Sequence, residues 1–164
     1  MPAEAGGWLA ALRAWSLAMA AGNLAWETAQ LPLYTIWRTG TWLENGFAVV
    51  HRTGGDLLIG TAALLLALVL SGTPAWPAQG FATTTALTIG FGVAYTAFSE
   101  WLNIVRRAAW AYSDLMPVVT ISGFGLGLAP MAQWLIVPLA ALLLARRSGR
   151  RGAAIAALTP AGRR

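Results

Sequence analysis

Acidic side chains lie within two regularly spaced polar stripes, each embedded in an otherwise apolar stretch of the sequence. The members of each stripe follow one another at steps of four, three and four residues. The first stripe consists of Asn23, Glu27, Gln30 and Tyr34, and the second of Thr96, Glu100, Asn103 and Arg107. Because this spacing keeps side chains on one face of a helix, we expect each stripe to face polar groups of a neighbouring element.

Glu27 and Glu100 are the residues with which this pattern could perform acid/base chemistry. An acid in the bilayer interior is costly unless it is paired, protonated or facing a wet cavity. A carboxyl held between its charged and neutral forms can both give and accept a proton. We therefore predict Glu27 and Glu100 as catalytic acid and base, with His51, the one histidine of the chain, as a third catalytic candidate.

Each of these three residues has a structural alternative that the sequence leaves open. Glu27 could be a protonated or arginine-paired group that holds helices together. Glu100 could be an ordinary ion-pair partner of Arg107 or Arg52. A lone histidine such as His51 is more often a packed or capping residue than a ligand.

Further polar and aromatic side chains are predicted to fall in the same half of the protein as these acids. We expect this half to form a polar pocket, and its candidate substrate-binding residues are Gln30, Tyr34, Asp56, Tyr95, Asn103, Arg107, Trp110, Tyr112 and Gln133. The opposite half of each apolar segment contains almost nothing ionisable.

A metal or another cofactor is not expected from these residues. Carboxylate-bridged metal sites in helical bundles use Glu-x-x-His, whereas residues 27–30 and 100–103 end in Gln30 and Asn103. The chain has no cysteine to supply thiolate ligands. The glycine-rich run at residues 123–127 is followed by no Lys-Ser or Lys-Thr pair, so it indicates close packing rather than a phosphate loop.

The composition places the whole chain in a membrane. Of its 164 residues, 57% are apolar and 10% are charged, far below the roughly 25% charge of soluble domains. The formal net charge of +5 raises the question of a nucleic-acid partner. Six of the eleven basic residues follow Leu144, however, so the excess indicates membrane topology and no nucleic acid is expected.

Four apolar segments are predicted to span the membrane, and the second is short for a bilayer if it begins at Asp56. We predict them at residues 14–35, 56–70, 81–103 and 129–145, with a kink at Pro32 and the second helix beginning near Phe47. Residues 101–114 should lie along the interface, and residues 118–129 should belong to one broken last helix, with a re-entrant segment as the alternative. The predicted fold is all-α: a polytopic four-transmembrane-helix bundle in one domain, residues 1–147, with an interfacial segment between helices 3 and 4. Residues 148–164 should form a basic, disordered cytoplasmic tail suited to anionic membrane lipids.

The distribution of arginines predicts the orientation in the membrane. The turn at residues 71–80 has no charge, so the basic tail should dominate and lie in the cytoplasm. With four spans, both termini are then cytoplasmic. The polar groups fall beneath the outer leaflet.

Several segments resemble a family of small bacterial four-span membrane proteins of unassigned function. They are ETAQLPLYTIW (27–37), HRTGGDLLIG (51–60), SEWLN (99–103), WAYSDLMP (110–117) and GLAPMAQW (127–134). The resemblance implies a multi-pass protein of the bacterial inner membrane and brings no activity. A looser pattern, an acid followed by W-x-Y and proline at Glu100, Trp110, Tyr112 and Pro117, is similar to segments of membrane carotenoid hydratases and cyclases, which act on isoprenoids.

Three functions are compatible with these features. The first is an enzyme or binding protein for a lipid-soluble, isoprenoid-like small molecule, with Glu27 and Glu100 as acid and base. The second is a structural or accessory subunit whose polar stripes pair helices or bind a partner. The third is a proton-coupled transporter that uses Glu27 as carrier and needs a homo-oligomer to complete a polar path.

Overall fold

The computed structural model describes residues 2–121 and 123–158, with side chains described from residue 7 onward. Most of these residues are helical. Five α-helices are present in the described ranges: α1 (Pro2–Gln30), α2 (Ile36–Thr39), α3 (Trp42–Ser71), α4 (Phe81–Trp101) and α5 (Leu128–Leu158). A 3₁₀ turn, Leu31–Leu33, follows α1, and a π-helical turn, Leu102–Arg106, follows α4. Strands β1 (Val118–Ile121) and β2 (Phe124–Gly127) form an antiparallel hairpin.

Three of the described helical segments are long and apolar enough to cross a membrane: Trp42–Ser71, Phe81–Arg106 and Leu128–Leu158. Their number is smaller than the four that the sequence predicted, because α1 is not among the sufficiently apolar helices. Helix α1 nevertheless packs on α5 and α3, and α4 packs on α3 and α5. The four long helices therefore surround a common interior.

Consecutive long helices run in opposite directions, so the molecule has two distinct ends. The turn end contains the start of α1 and residues 72–80, where the Trp8 Nε1 donates to the Pro74 carbonyl and Ser71 meets Thr84 across the α3–α4 turn. The loop end contains the end of α1 and residues 107–127. A core of tightly packed apolar side chains, including Trp15, Leu64 and Trp76, fills the turn end.

Helix α1 ends at Gln30 instead of continuing with a kink to residue 35, so this prediction was wrong. Pro32 lacks an amide hydrogen and its ring crowds the preceding turn, which favours helix termination. The chain tightens into the 3₁₀ turn and becomes extended at Tyr34. Tyr34 is still buried beside the polar face of α1, because the short turn continues the direction of the stripe.

Helix α3 begins at Trp42, earlier than the predicted start near Phe47. A capping box explains the start: the Thr41 Oγ1 accepts from the Glu44 amide at 3.3 Å, and the Glu44 carboxylate accepts from the Thr41 amide at 2.7 Å. These bonds satisfy amides that the first helical turn leaves free. The glycines at 46, 54 and 55 lie inside the helix and do not interrupt it.

Residues 118–127 form a β-hairpin, so the prediction of one broken helix was wrong. All four residues of β1 (VVTI) have β-branched side chains, which favour extended backbone. The turn contains Gly123 with φ +80°, a conformation that glycine adopts without steric cost. Helix α5 then starts at Leu128, whose amide donates to the Pro117 carbonyl at 2.8 Å.

Two other connections differ from the predictions. The segment at residues 101–114 does not form a separate interfacial helix: α4 passes into the π-helical turn, and residues 107–111 are irregular. Helix α5 continues to Leu158, so residues 148–158 are helical and not disordered as expected for the tail. Residues 159–164 lie outside the described part of the chain.

Candidate functional site

Arg52 of α3 joins the acids of the two predicted stripes. Its Nε lies 3.3 Å from a Glu27 carboxylate oxygen, and its Nη2 lies 3.9 Å from a Glu100 oxygen. Both glutamates are only 3% exposed, although they come from different helices, α1 and α4. One guanidinium thus bridges two buried acids, and three helices meet at this point.

Asp56 adds a third carboxyl one helical turn after Arg52 on α3, toward the turn end. It approaches the Glu27 carboxyl within hydrogen-bonding reach and accepts a bond from the Gln133 Nε2 at 2.8 Å. We call Glu27, Asp56, Glu100 and Arg52 the carboxyl cluster. Three acids share one guanidinium, so the cluster has excess negative charge unless two of the carboxyls carry protons. Two neighbouring carboxyls that share a proton are a recognised arrangement for acid/base work.

A network of amide side chains fixes Glu27 and Asp56 in place. The Gln30 Nε2 donates to Glu27 at 2.6 Å and to the Gln133 Oε1 at 3.2 Å. The Gln133 Nε2 also donates to the Asn23 Oδ1 at 2.9 Å. Because the amides are buried and connect α1 to α5, they restrict the rotamers of the acids they contact.

Tyr112 attaches the loop end to the carboxyl cluster. Its hydroxyl donates to Glu100 at 2.5 Å and accepts from the Gly127 amide at 3.0 Å. Burial, followed by the hydrogen bond to the Glu100 carboxylate, raises the pKa of the Tyr112 phenol above its ordinary value. A Cβ at position 127 would lie 2.8 Å from the Tyr112 hydroxyl, so this approach requires glycine. Tyr112 therefore remains a hydrogen-bond donor to Glu100 throughout the physiological pH range.

Two aromatic rings contact the other side of Arg52. The guanidinium carbon lies 3.8 Å from the centre of the Tyr34 ring and 5.3 Å from that of Trp110. Tyr34 and Tyr112 also pair through a backbone bridge and a ring contact of 5.7 Å between centres. Cation–π contact of this kind holds a cation in place while leaving its edge free to form hydrogen bonds.

Two cavities meet at Arg52. A polar cavity of about 270 Å³ is lined by all four members of the carboxyl cluster, together with Gln133. An apolar cavity of about 840 Å³ lies between α2, the first turns of α3 and residues 108–111, and includes Leu43, Phe47 and Ala48. His51, Arg52 and Trp110 line both cavities. An apolar molecule in the larger cavity could therefore extend one end toward the acids.

A layer of close packing closes the polar cavity on the side of the turn end. Trp134 is 2% exposed and lies against Gly92 of α4, where a Cβ would collide with its ring. A Cβ at Gly60 would lie 2.5 Å from the Met19 methyl group. Each of three helices has one of these packed residues a single turn beyond a polar residue of the site: Gly60 on α3, Gly92 on α4 and Met19 on α1. The carboxyl cluster is thus closed off toward the turn end.

The structure brings together most of the predicted site residues, with Arg52 at their centre. Those that contact the carboxyl cluster or belong to it are Glu27, Gln30, Tyr34, Asp56, Glu100, Trp110, Tyr112 and Gln133. Asn103 lines the polar cavity but donates to the carbonyl of Ser99. Tyr95 lines the same cavity and is half exposed.

His51 lies at the rim of the site. It is exposed, stacks on Phe47 with ring centres 5.4 Å apart, and has no acidic ion-pair partner within the described ranges. Although it lines both cavities, it is not part of the hydrogen-bonded network that holds Glu27. Its position suits contact with a bound molecule better than activation of a carboxyl.

Arg107 lies outside the site although its spacing from Glu100 predicted a shared face. The π-helical turn widens the helix between residues 102 and 106, so the Arg107 amide donates to Leu102, five residues back, instead of Asn103. This change rotates Arg107 away from the stripe, and its side chain is exposed.

The sequence suggested Arg52 only as a possible ion-pair partner of Glu100, 3.9 Å away in the structure, and indicated no site role for Asn23 or Trp134. A signal for Arg52 was present: a lone arginine inside a long apolar helix must find acidic partners, and Asp56 lies four residues further on the same face. Asn23 already belonged to the first stripe. Nothing in the sequence indicated the packing role of Trp134, because the glycines that contact it approach it only in the folded protein.

No group of three or more histidine, cysteine or acidic residues in the described ranges could hold a metal ion. No protein-family model matches the chain, and no curated protein or solved structure matches it either. The geometry of the carboxyl cluster and its cavities is therefore the basis for assigning a function.

Proposed function

We propose that this protein is an integral membrane protein that binds a lipid-soluble, isoprenoid-like small molecule and transforms it by acid/base chemistry. The observation that carries the proposal is the buried carboxyl cluster at the junction of a polar and an apolar cavity. A large apolar volume beside a few convergent polar groups is the usual form of a small-molecule site.

The acids have distinct roles in this proposal. Glu27 is the general acid/base, because Asp56 and Gln30 contact its carboxyl and can relay or stabilise a proton there. Glu100, held by Tyr112, is the second acid/base group. Arg52 positions both glutamates. His51, Trp110 and Tyr34 contact the bound molecule.

The membrane placement is part of the proposal. We place α1 as a fourth span beside the three apolar helices, because it packs along α5 and α3 and carries buried acids toward the interior. The cluster then lies beneath the outer leaflet of a bacterial inner membrane, with both termini in the cytoplasm. The arginine-rich end of α5 supports this orientation.

Two other functions remain as candidates for the same features. In a structural or accessory subunit, the bridge from Arg52 to Glu27 and Glu100 would serve to hold three helices together. A proton-coupled transporter needs a polar path to the turn end, and the packing of Trp134 on Gly92 leaves no such path in one chain. A transporter would therefore require contacts between several copies.

The binding part of the proposal is tested by mass spectrometry of the molecules that the full chain retains after purification in mild detergent. Ala48→Phe places a ring in the apolar cavity. Val50→Phe is the matched control, because Val50 is an exposed residue of the same helix outside the cavity lining. We expect the wild type and Val50→Phe to retain a specific apolar molecule, and Ala48→Phe to lose it.

Two results of this experiment would contradict the proposal. One is a wild-type protein that carries only the bulk lipids of the membrane. The other is equal retention by Ala48→Phe and the wild type. Either result, combined with reduced unfolding stability of a Glu27→Gln variant, would favour the structural subunit.

A further inference from the structure

We infer that the molecule bound here carries a neutral hydrogen-bond acceptor, a carbonyl oxygen such as that of a ketone, aldehyde or quinone, at the end that reaches Arg52. This inference rests on the proposed function and adds the chemical class of the head group. Four features carry it: two buried donors without acceptors, the charge of the carboxyl cluster, and the shape of the apolar cavity.

The Tyr34 hydroxyl is the first donor without an acceptor. Tyr34 is 1% exposed, and its hydroxyl makes no hydrogen bond of good geometry with the described part of the protein. The Arg52 guanidinium lies over the ring, 3.8 Å from its centre, and also contacts the hydroxyl, but a guanidinium has donors only and cannot accept the hydroxyl proton. Tyr34 lines the apolar cavity. A ligand oxygen at this wall would satisfy a polar group that folding otherwise leaves buried without a partner.

The Trp110 indole nitrogen is the second such donor. It is buried, and although it lies close to the Glu100 carboxylate, it makes no hydrogen bond of good geometry among residues 7–121 and 123–158. The Trp110 side chain lines both cavities, at the place where they meet. An indole N–H can only donate, so its partner in a complex must be an acceptor. Tyr34 and Trp110 contact the same guanidinium, which keeps the two donors close to one another.

The charge of the carboxyl cluster disfavours an anionic head group, and the neighbouring donors and guanidinium disfavour a cationic one. Glu27, Asp56 and Glu100 already exceed the charge of Arg52 by two when all are ionised. A carboxylate or phosphate would bring another negative charge beside them. An ammonium group cannot accept from Tyr34 or Trp110, and it would lie against the guanidinium. A neutral acceptor avoids both repulsions.

The apolar cavity fits the rest of such a molecule. Its volume of about 840 Å³ lies in the upper range of small-molecule sites. Ile36, Leu43, Phe47 and Ala48 line it, and Leu43 and Phe47 also have large exposed surfaces. A hydrocarbon chain can therefore lie in the cavity and leave it at the side of α3, where the membrane would begin.

The test uses four probes with equal chain length and different head groups, added to the full-length protein in nanodiscs of zwitterionic lipid. They are 2-hexadecanone labelled with ¹³C at the carbonyl, hexadecanoate, hexadecylamine and hexadecane. We expect the ketone to bind with at least tenfold higher affinity than the other three. The infrared band of its labelled carbonyl should shift to lower frequency on binding, because Tyr34 and Trp110 donate hydrogen bonds to it.

Variants separate these hydrogen bonds from general packing. Tyr34→Phe and Trp110→Phe should each weaken ketone binding about three- to tenfold and reduce the infrared shift, while hexadecane binding should fall less than ketone binding. Trp37→Phe is the matched control, since Trp37 is half exposed and lies outside the lining of the apolar cavity. It should bind the ketone as the wild type does.

The outcomes distinguish failure of this inference from failure of the proposed function. Preference for hexadecanoate or hexadecylamine, or ketone binding that Tyr34→Phe and Trp110→Phe leave unchanged, overturns the carbonyl assignment. If Ala48→Phe still abolishes retention of an apolar molecule, the proposed function survives that result. If the wild type binds none of the probes and retains no molecule, both proposals are wrong.

Discussion

Arg52 stabilises the buried acids of this protein by pairing with them. Its side chain extends from α3, is 17% exposed and contacts Glu27 and Glu100. Breaking a buried ion pair from one side leaves the opposite charge in a poorly solvated place. The acids alone would therefore repel one another and need additional protons.

Replacement of Arg52 by methionine should lower the free energy of unfolding by about 3 kcal/mol, because Glu27 and Glu100 lose their shared cation. Arg107→Met is the control: Arg107 is exposed, and we expect its loss to change stability by less than about 0.5 kcal/mol. Equilibrium unfolding in detergent measures both. Equal small effects of the two substitutions would show that Arg52 does not stabilise the cluster.

Tyr112 should give the stability a dependence on alkaline pH. Its phenol pKa is raised in the folded protein, first by burial and then by the Glu100 carboxylate. The folded state therefore holds this proton more tightly than the unfolded state, whose tyrosine titrates near pH ~10. Its contribution is complete below that pH and is lost as the pH rises above it.

Unfolding experiments between pH 8 and 11.5, a range chosen to bracket the ordinary tyrosine pKa of about 10, test this effect. The free energy of unfolding of the wild type should fall with rising pH above about pH 10, and that of Tyr112→Phe should fall less steeply. The variant should also be less stable at neutral pH by about 1 kcal/mol, the usual net value of a lost hydrogen bond. Parallel curves for the two proteins would contradict the assigned environment of Tyr112.

At the scale of the helices, regular spacing predicted buried faces well where the backbone stays regular. Asn23, Glu27, Gln30 and Tyr34 are all buried on the side that the four-three-four spacing indicated. The same argument correctly placed Thr96 and Glu100 but failed for Arg107, since one π-helical turn changes the angle between successive residues. Periodicity carries no signal for such a turn.

The β-hairpin and the start of α3 were missed for different reasons. Residues 118–127 are apolar and glycine-rich, a composition compatible with a packed helix, and only the run of β-branched residues in β1 indicated a strand. The capping box of Thr41 and Glu44 is visible in the sequence, but the glycines that follow at 46, 54 and 55 disfavour a helix interior and hide its start. Arg52 could have been found from its apolar surroundings alone.

The contact between α4 and α5 provides a matched pair of glycine substitutions. Gly92→Ala should lower the free energy of unfolding by roughly 2 kcal/mol, because its Cβ would collide with the Trp134 ring. Gly90→Ala, on the same helix with no atom near its Cβ, should leave stability unchanged or raise it by up to about 1 kcal/mol. Thermal or chemical unfolding in detergent separates the two. Similar effects at both positions would refute the close packing under the polar cavity.

At the scale of the whole molecule, ionisable groups of the interior lie toward the loop end, and apolar packing closes the turn end. The absence of cysteine allows a clean test of how these ends face the membrane. Single cysteines can report which end faces which side of the membrane. Two exposed positions suit them: Asp114, near the loop end, and Gln79, at the turn end.

The proposed orientation predicts opposite labelling of these cysteines. In intact bacterial cells, a membrane-impermeant maleimide should label Asp114→Cys at once and Gln79→Cys only after permeabilisation. Labelling of Gln79→Cys in intact cells, with Asp114→Cys protected, would place the basic end of α5 outside and contradict the orientation drawn from the arginines.

Deuterium transfer tests the central claim, that the carboxyl cluster performs acid/base chemistry on a bound lipid-soluble molecule. The purified protein with its retained molecule is incubated in D₂O and then denatured, and the extracted molecule is transferred to H₂O, so that only deuterium bound to carbon remains. Mass spectrometry should find such deuterium with the wild type and with the control Asp114→Asn, whose acid is exposed in the loop. It should find none with Glu27→Gln, provided that this variant still holds the molecule. A retained molecule free of carbon-bound deuterium in the wild type, or equally labelled by Glu27→Gln, would contradict the account.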